Sequence, residues 1–178
     1  MFNVKKATND CIQWIRDWRE ENGPGCNLIV GISGGVDSLV AAELCVEAVG
    51  ADKVLGVIMP NYKQDDIDVA YDICQHVLGI DYLTINVGSA YDDIIDQIDA
   101  AFNVTDQTLI NLAPRLRMAT LYGVSQSHNG RVVNTCNLSE DYIGYSTRYG
   151  DAAGDFSPLA QFTKSEVKRI GYYLGLPI

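Results

Sequence analysis

The sequence of 178 residues contains no apolar run long enough to cross a bilayer. Its first residues, Met1 to Asp10, are polar and have no hydrophobic signal core. A membrane or exported protein is therefore set aside, and a soluble, cytoplasmic one is expected. The five cysteines, Cys11, Cys26, Cys45, Cys74 and Cys136, are odd in number and form no Cys-x-x-Cys pair. That spacing argues against a disulfide framework and predicts free thiols in a reducing compartment. Of only two histidines, His76 stands two residues from Cys74 with no second pair to complete a zinc site, so core packing is favoured there. The other, His128, sits beside Asn129-Gly130 and reads as a turn residue. Positive charge is also scarce, with 13 Lys and Arg against 23 Asp and Glu and a net charge of −10. General nucleic-acid binding, which rewards clustered cations, is disfavoured. Internal repeats and low-complexity tracts are lacking.

The cations that exist are unevenly placed. Residues 1 to 110 hold 6 basic and 18 acidic side chains, whereas residues 111 to 178 hold 7 basic and 5 acidic ones. An anionic ligand is therefore expected to be gripped by the later part, with Arg115, Arg117, Arg148 and Lys164 as candidates and solvated surface charge as the competing reading of each. A chain this long with 47% hydrophobic residues suits one well-buried domain, taken as residues 1–178.

Hydrophobic periodicity gives the order of elements. Lys5 to Glu21 is an amphipathic helix, with Ile12, Ile15 and Trp18 about one turn apart, and it stops at Asn22-Gly23-Pro24-Gly25. Strands are predicted over Asn27 to Ile32, Lys53 to Met59, Tyr82 to Val87 and Arg131 to Thr135. Helices are predicted over Leu39 to Val49, Asp65 to Leu78, Ala90 to Phe102, Gln107 to Ser127 with an interruption at Pro114, and Lys164 to Leu174. Thr163 and Glu166 have the spacing of a capping box for the last. Such alternation implies an α/β fold, a parallel sheet with helices on both faces, whose ligand lies beyond the C-terminal strand ends at a switch in strand order.

The most informative stretch is Gly31-Ile32-Ser33-Gly34-Gly35-Val36-Asp37-Ser38, between the first strand and its helix. Glycines allow a sharp turn with inward N–H groups, Ser33 and Ser38 add hydroxyls, and the following helix aims its positive end at the same place. The loop suits phosphate, yet it lacks the Lys-Ser/Thr ending of a Walker A loop and the spacing of a dinucleotide fingerprint. Asp37 would repel phosphate unless a divalent cation lay between them, which predicts Mg²⁺ bridging this carboxylate and a polyphosphate.

In every position this loop resembles the Ser-Gly-Gly-x-Asp-Ser pattern of the PP-loop ATP pyrophosphatases, which have a Rossmann-like, adenine nucleotide alpha hydrolase-like fold and cleave ATP to AMP and pyrophosphate. Further segments are similar to the ammonia-dependent NAD synthetases within that superfamily. They are Asn111 to Met118 (NLAPRLRM), Asn134 to Glu140 (NTCNLSE), Gly144 to Asp151 (GYSTRYGD) and Gly154 to Leu159 (GDFSPL). The resemblance covers nearly the whole chain. It implies that ATP adenylates the nicotinate carboxylate of deamido-NAD, that pyrophosphate leaves, and that ammonia then displaces AMP to give NAD.

By the same resemblance, residues Gly31 to Ser38, Thr135 and Lys164 contact ATP, with Asp37 and Lys164 catalytic. Asp37 and Glu140 hold Mg²⁺, and Arg115, Arg148 and Asp155 contact deamido-NAD. Plainer readings stand beside these: Glu140 as an acid at a helix N-terminus, Lys164 as a surface residue at a helix start, Thr135 as an ordinary strand residue, and Asp155 as a residue that orders its loop. The loop Asp151 to Asp155 has nothing apolar to anchor it, and it is expected to order on substrate binding and exclude water. Members of the family continue past the Leu-Gly-Leu-Pro segment with further ATP and dinucleotide contacts, which here are expected to be missing or replaced. Without a glutaminase domain, nitrogen is expected from free ammonia or a separate partner. A homodimer is also implied, with the Ala90 to Phe102 and Gln107 to Ser127 helices as the candidate interface. The alternatives are another PP-loop ATP pyrophosphatase or a non-catalytic nucleotide-binding fragment.

Overall fold

The computed structural model describes residues 2–178, along which strand and helix alternate. The first helix, α1, spans Val4–Asn22; Asn3 caps it by accepting the Lys6 N–H (3.1 Å), and Thr8, Cys11, Ile12 and Ile15 form its buried face. Four strands, β1 (Asn27–Gly31), β2 (Val54–Ile58), β3 (Asp81–Thr84) and β4 (Gly130–Val133), form one parallel sheet in the order β3-β2-β1-β4. The remaining helices are α2 (Val36–Val49), α3 (Ile67–Asp72, widening into a π-helical turn over Ile73–Leu78), α4 (Gly88–Asp99), α5 (Asp106–Ser127), α6 (Leu138–Ile143) and α7 (Lys164–Tyr173).

Two helical layers cover the sheet, and alternate strand residues feed the two cores. Leu28, Val30, Val54, Ile58 and Val133 pack with α1, α2 and α7, whereas Ile29, Leu55, Val57 and Val132 pack with Met118 and Leu121 of α5. All five residues of β2 are buried as a consequence. Full burial of a Val, Leu or Ile side chain contributes roughly 1.5–3 kcal/mol. Apart from Lys164–Asp37, each ion pair among the described residues has at least one well-exposed partner, and such pairs contribute roughly 0–1 kcal/mol. Packing therefore holds this fold.

Four local differences from the sequence expectations have physical causes. First, α5 runs unbroken through Pro114. The Gly150 loop packs on the ring, where a Cβ on Gly150 would stand 2.9 Å from the Pro114 Cβ, so the proline is covered by tertiary contact. Second, β3 ends at Thr84 rather than Val87, although its path stays tied to β2 through Ile85 N–H to the Ile58 carbonyl and Val87 N–H to the Pro60 carbonyl (both 2.9 Å). Third, β4 ends at Val133, after which Asn134 N–H turns to the Phe156 carbonyl (2.8 Å). Fourth, α6 is a short helix that periodicity alone does not reveal, because six residues give too little pattern. Among the described residues no helix is long and apolar enough to cross a membrane.

All five cysteines are buried and free. Burial pushes the Cys11 thiol up to about 12 and the Cys74 and Cys136 thiols up to about 11, and it raises Cys45 as well. A disulfide reagent at pH 8 is expected to label the native protein slowly and to titrate five thiols only after denaturation. Rapid labelling of the native chain would contradict this packing.

Candidate active site

The loop after β1 begins where the sheet lets go of the chain. The Ile32 N–H still pairs with the Val57 carbonyl (3.0 Å), and beyond it Gly34 adopts φ 87°, a left-handed conformation that favours glycine. The Ser33 and Ser38 hydroxyls lie 3.2 Å apart; Ser33 Oγ accepts the Gly35 N–H (3.2 Å), and Ser38 Oγ donates to the Gly35 carbonyl (2.9 Å). Helix α2 starts at Val36, three residues earlier than expected, so Asp37 lies in its first turn, where the helix dipole favours a carboxylate.

Two elements converge on Asp37 of α2. Its Oδ1 accepts a hydrogen bond from Asn137 Nδ2 (3.1 Å), and its Oδ2 accepts one from Lys164 Nζ at the start of α7. The carboxylate is largely sheltered, while the lysine side chain is nearly half exposed. Asn137 is fully buried, and its Oδ1 caps α6 by accepting the N–H groups of Ser139 (3.0 Å) and Glu140 (3.2 Å). With its oxygen so occupied, the amide must turn its NH₂ toward Asp37. Glu140 completes a capping box through Oε2, which accepts the Asn137 N–H (3.2 Å). Thr163 and Glu166 form the expected capping box on α7, which begins at Lys164.

The loop opens on a cavity of about 480 Å³ beyond the C-terminal ends of β1 and β4, the point where strand order switches. Asp37, Thr135 and Glu140 line it together with loop residues Gly31, Ser33 and Ser38. Arg117 lines it as well, with Nε donating to the Met59 carbonyl (2.9 Å). Burial lowers the Arg117 pKa, and the charge of Asp151 opposes that shift.

Other predicted residues stand elsewhere. Lys164 reaches Asp37 without lining the cavity, and Gly34 and Val36 are likewise absent from its walls. Arg115 and Arg148 are together but outside it: Arg115 Nε donates to the Arg148 carbonyl (3.2 Å), and the Arg148 guanidinium lies 4.9 Å from the centre of the Tyr149 ring. Asp155 is engaged with β4, its Oδ2 accepting the Val132 N–H (2.7 Å) and its own N–H donating to the Val132 carbonyl (2.8 Å). Through these contacts Asp155 orders its loop against β4. The loop Asp151 to Asp155 is also anchored, contrary to expectation. Buried Asn134 donates to the carbonyls of Asp151 (2.8 Å) and Ala153 (2.7 Å), and Asp151 Oδ1 accepts the Thr147 N–H (2.8 Å). Polar contacts supply what apolar side chains do not.

Asn137 and Asn134 are the residues that sequence reasoning alone misses. The one readable signal for Asn137 is its spacing to Glu140, a cap followed three positions later by an acid.

Among the described residues no group of three or more His, Cys, Asp or Glu gathers in a way that could hold a metal. Asp37 and Glu140 both line the cavity, and Mg²⁺ is commonly bound by one or two carboxylates together with water and substrate phosphate oxygens.

The sequence matches the NAD synthase family over residues 7–178. An NH3-dependent NAD+ synthetase from Thermococcus kodakarensis is 41% identical over 176 residues, which cover 99% of this chain and 68% of that one. Across several such curated relatives the chain spans between 65% and 72% of their length. Among solved structures, the NMN synthetase of Francisella tularensis superposes with a TM-score of 0.90 at 33% identity, covering 99% of this chain and 73% of that one. The NH3-dependent NAD synthetase of Campylobacter jejuni, in complex with a nitrate ion, gives 0.89 at 32% identity, covering 99% and 75%.

Replacing Asn137 with Ala leaves two cap N–H groups and one Asp37 oxygen without their partner. The Asn137→Ala protein is expected to lose about 1–3 kcal/mol of unfolding free energy in urea, and an unchanged midpoint would contradict the cap.

Proposed function

Because the chain belongs to the NAD synthase family, we propose that it catalyses the ATP-dependent amidation of deamido-NAD with ammonia, yielding NAD, AMP and pyrophosphate. The observation that carries this reading is the Gly31 to Ser38 loop at the sheet's switch point, with Asp37 in contact with Lys164.

A carboxylate is a poor acyl donor, so its oxygen first attacks the α-phosphorus of ATP and pyrophosphate departs. Ammonia then attacks the acyl carbon, AMP leaves with the C–O bond electrons, and a proton is released from nitrogen. Loop N–H groups and the Ser33 and Ser38 hydroxyls supply donors for phosphate oxygens. Asp37 and Glu140 would hold Mg²⁺, whose chemistry is to neutralise charge on the polyphosphate. Lys164 carries a positive charge to the same corner, and Thr135 lines the nucleotide's cavity. Arg115 and Arg148 are proposed as outer contacts for the dinucleotide, at the rim rather than the floor.

The same reading includes a homodimer. Helix α4 fully buries none of its apolar side chains, and Phe102 and Ile110 are 75% and 63% exposed. A second copy covering α4 and α5 would remove this surface from water. The expected mass in solution is twice that of the chain, and a monomer at micromolar concentration would overturn the dimer.

The activity is tested by following AMP and NAD formation with Mg²⁺, ATP, deamido-NAD and ammonium, omitting each in turn. Matched formation of both products is expected, and Asp37→Asn should reduce it about 100-fold or more. AMP without NAD would leave a PP-loop pyrophosphatase of another kind, and ATP binding with neither product would leave a nucleotide-binding module. Since one solved relative is an NMN synthetase, nicotinate mononucleotide is run in parallel, and its preferential amidation would reassign the acceptor.

A further inference from the structure

Arg117 is a cation for which the site described so far has no task. It enters the cavity from α5, and it is the one Lys or Arg among the described residues that lines it. Its Nε donates to the Met59 carbonyl just beyond β2, which fixes the plane of the guanidinium and uses one of its five N–H groups. No carboxylate forms an ion pair with it among the described residues. Asp151 is the acid whose charge reaches it, but Asp151 Oδ1 is taken by the Thr147 N–H.

A partly buried guanidinium without an ion-paired carboxylate is costly, and here burial disfavours its charged form more than the charge of Asp151 favours it. Such a group is retained at a cleft when an incoming anion completes it, because a fixed fork of N–H donors matches two oxygens of a phosphate or carboxylate. The same cavity is lined by residues of the Gly31 to Ser38 loop, itself suited to phosphate. Arg115 and Arg148 lie outside, so neither serves the floor of the cleft.

We propose that Arg117 is a substrate-binding residue whose terminal N–H groups hold an oxyanion of the bound nucleotides, a phosphate or the nicotinate carboxylate. The inference rests on the reading of the cleft as the ATP and deamido-NAD site. A purely structural alternative is that Arg117 is only a strut between α5 and the end of β2.

Calorimetric binding to the wild-type chain, Arg117→Gln and Arg117→Lys separates these possibilities. The ligands are Mg-ATP, adenosine, deamido-NAD and NAD. Adenosine lacks every phosphate, and NAD differs from deamido-NAD by an amide in place of the carboxylate. Arg117→Gln is expected to weaken an anionic ligand about tenfold or more while leaving adenosine within about twofold. Loss with Mg-ATP identifies an ATP phosphate, loss with both dinucleotides identifies their pyrophosphate, and loss with deamido-NAD alone identifies the carboxylate. Arg117→Lys should recover part of the loss, since it restores charge without the fork. Equal weakening of adenosine and the anionic ligands would make Arg117 a strut and overturn the inference, as would no change in any ligand. Wild-type protein that binds neither Mg-ATP nor deamido-NAD would overturn the functional reading as well, whereas normal wild-type binding with an undisturbed Arg117→Gln overturns the inference alone.

Discussion

Strand β1 is paired along its length with β2 on one side and β4 on the other, so its backbone groups are saturated until the chain passes Gly31. All of the chemistry lies beyond that limit. The chain leaves β1 toward one helical layer and returns through β4 after crossing the other, and the loops at the two strand ends are forced apart. A cavity opens between them because of connectivity, before any side chain is chosen. The loop residues, Thr135 and Glu140 border that gap because each follows β1 or β4 by only a few positions.

Charge in this gap is assembled from both parts of the sequence. Asp37 comes from the acidic stretch, and Lys164 and Arg117 come from the later one. Net charge therefore says little about the ligand, because a chain at −10 still sets one cation in the cavity wall and another on the cavity-lining Asp37. Asn137 is the neutral partner of Asp37. It joins the cap of α6 to the carboxylate of α2 through a single amide, so the orientation of Asp37 is coupled to the start of a helix 100 positions away.

Much of this architecture can be read from the chain. The alternation of elements, the phosphate loop and the Thr163/Glu166 cap all rest on local pattern, with signals contained within a few residues. The location of the cavity follows from the alternation together with the loop. What sequence reading cannot reach depends on distant partners. Whether Arg115 or Arg117 faces inward is decided by how α5 rolls against the sheet, and the two are only two residues apart. The Asp151 to Asp155 loop looks unanchored because its anchor, Asn134, lies on another segment. Asp155 reads as a polar loop residue, while its carboxylate is occupied by a strand's N–H.

That last contact bears on the edge of the sheet. The outer side of β4 would otherwise present unpaired backbone groups, a template on which another strand could dock. Here a side-chain carboxylate takes the Val132 N–H, the Asp155 N–H fills the Val132 carbonyl, and Phe156 accepts the N–H of Asn134. Phe156 is in turn clamped by stacking on Trp18, with ring centres 4.3 Å apart. The segment thus closes the sheet on the β4 side without contributing a full strand. Among the described residues the other rim is β3, whose four residues make a short template for an intermolecular ladder.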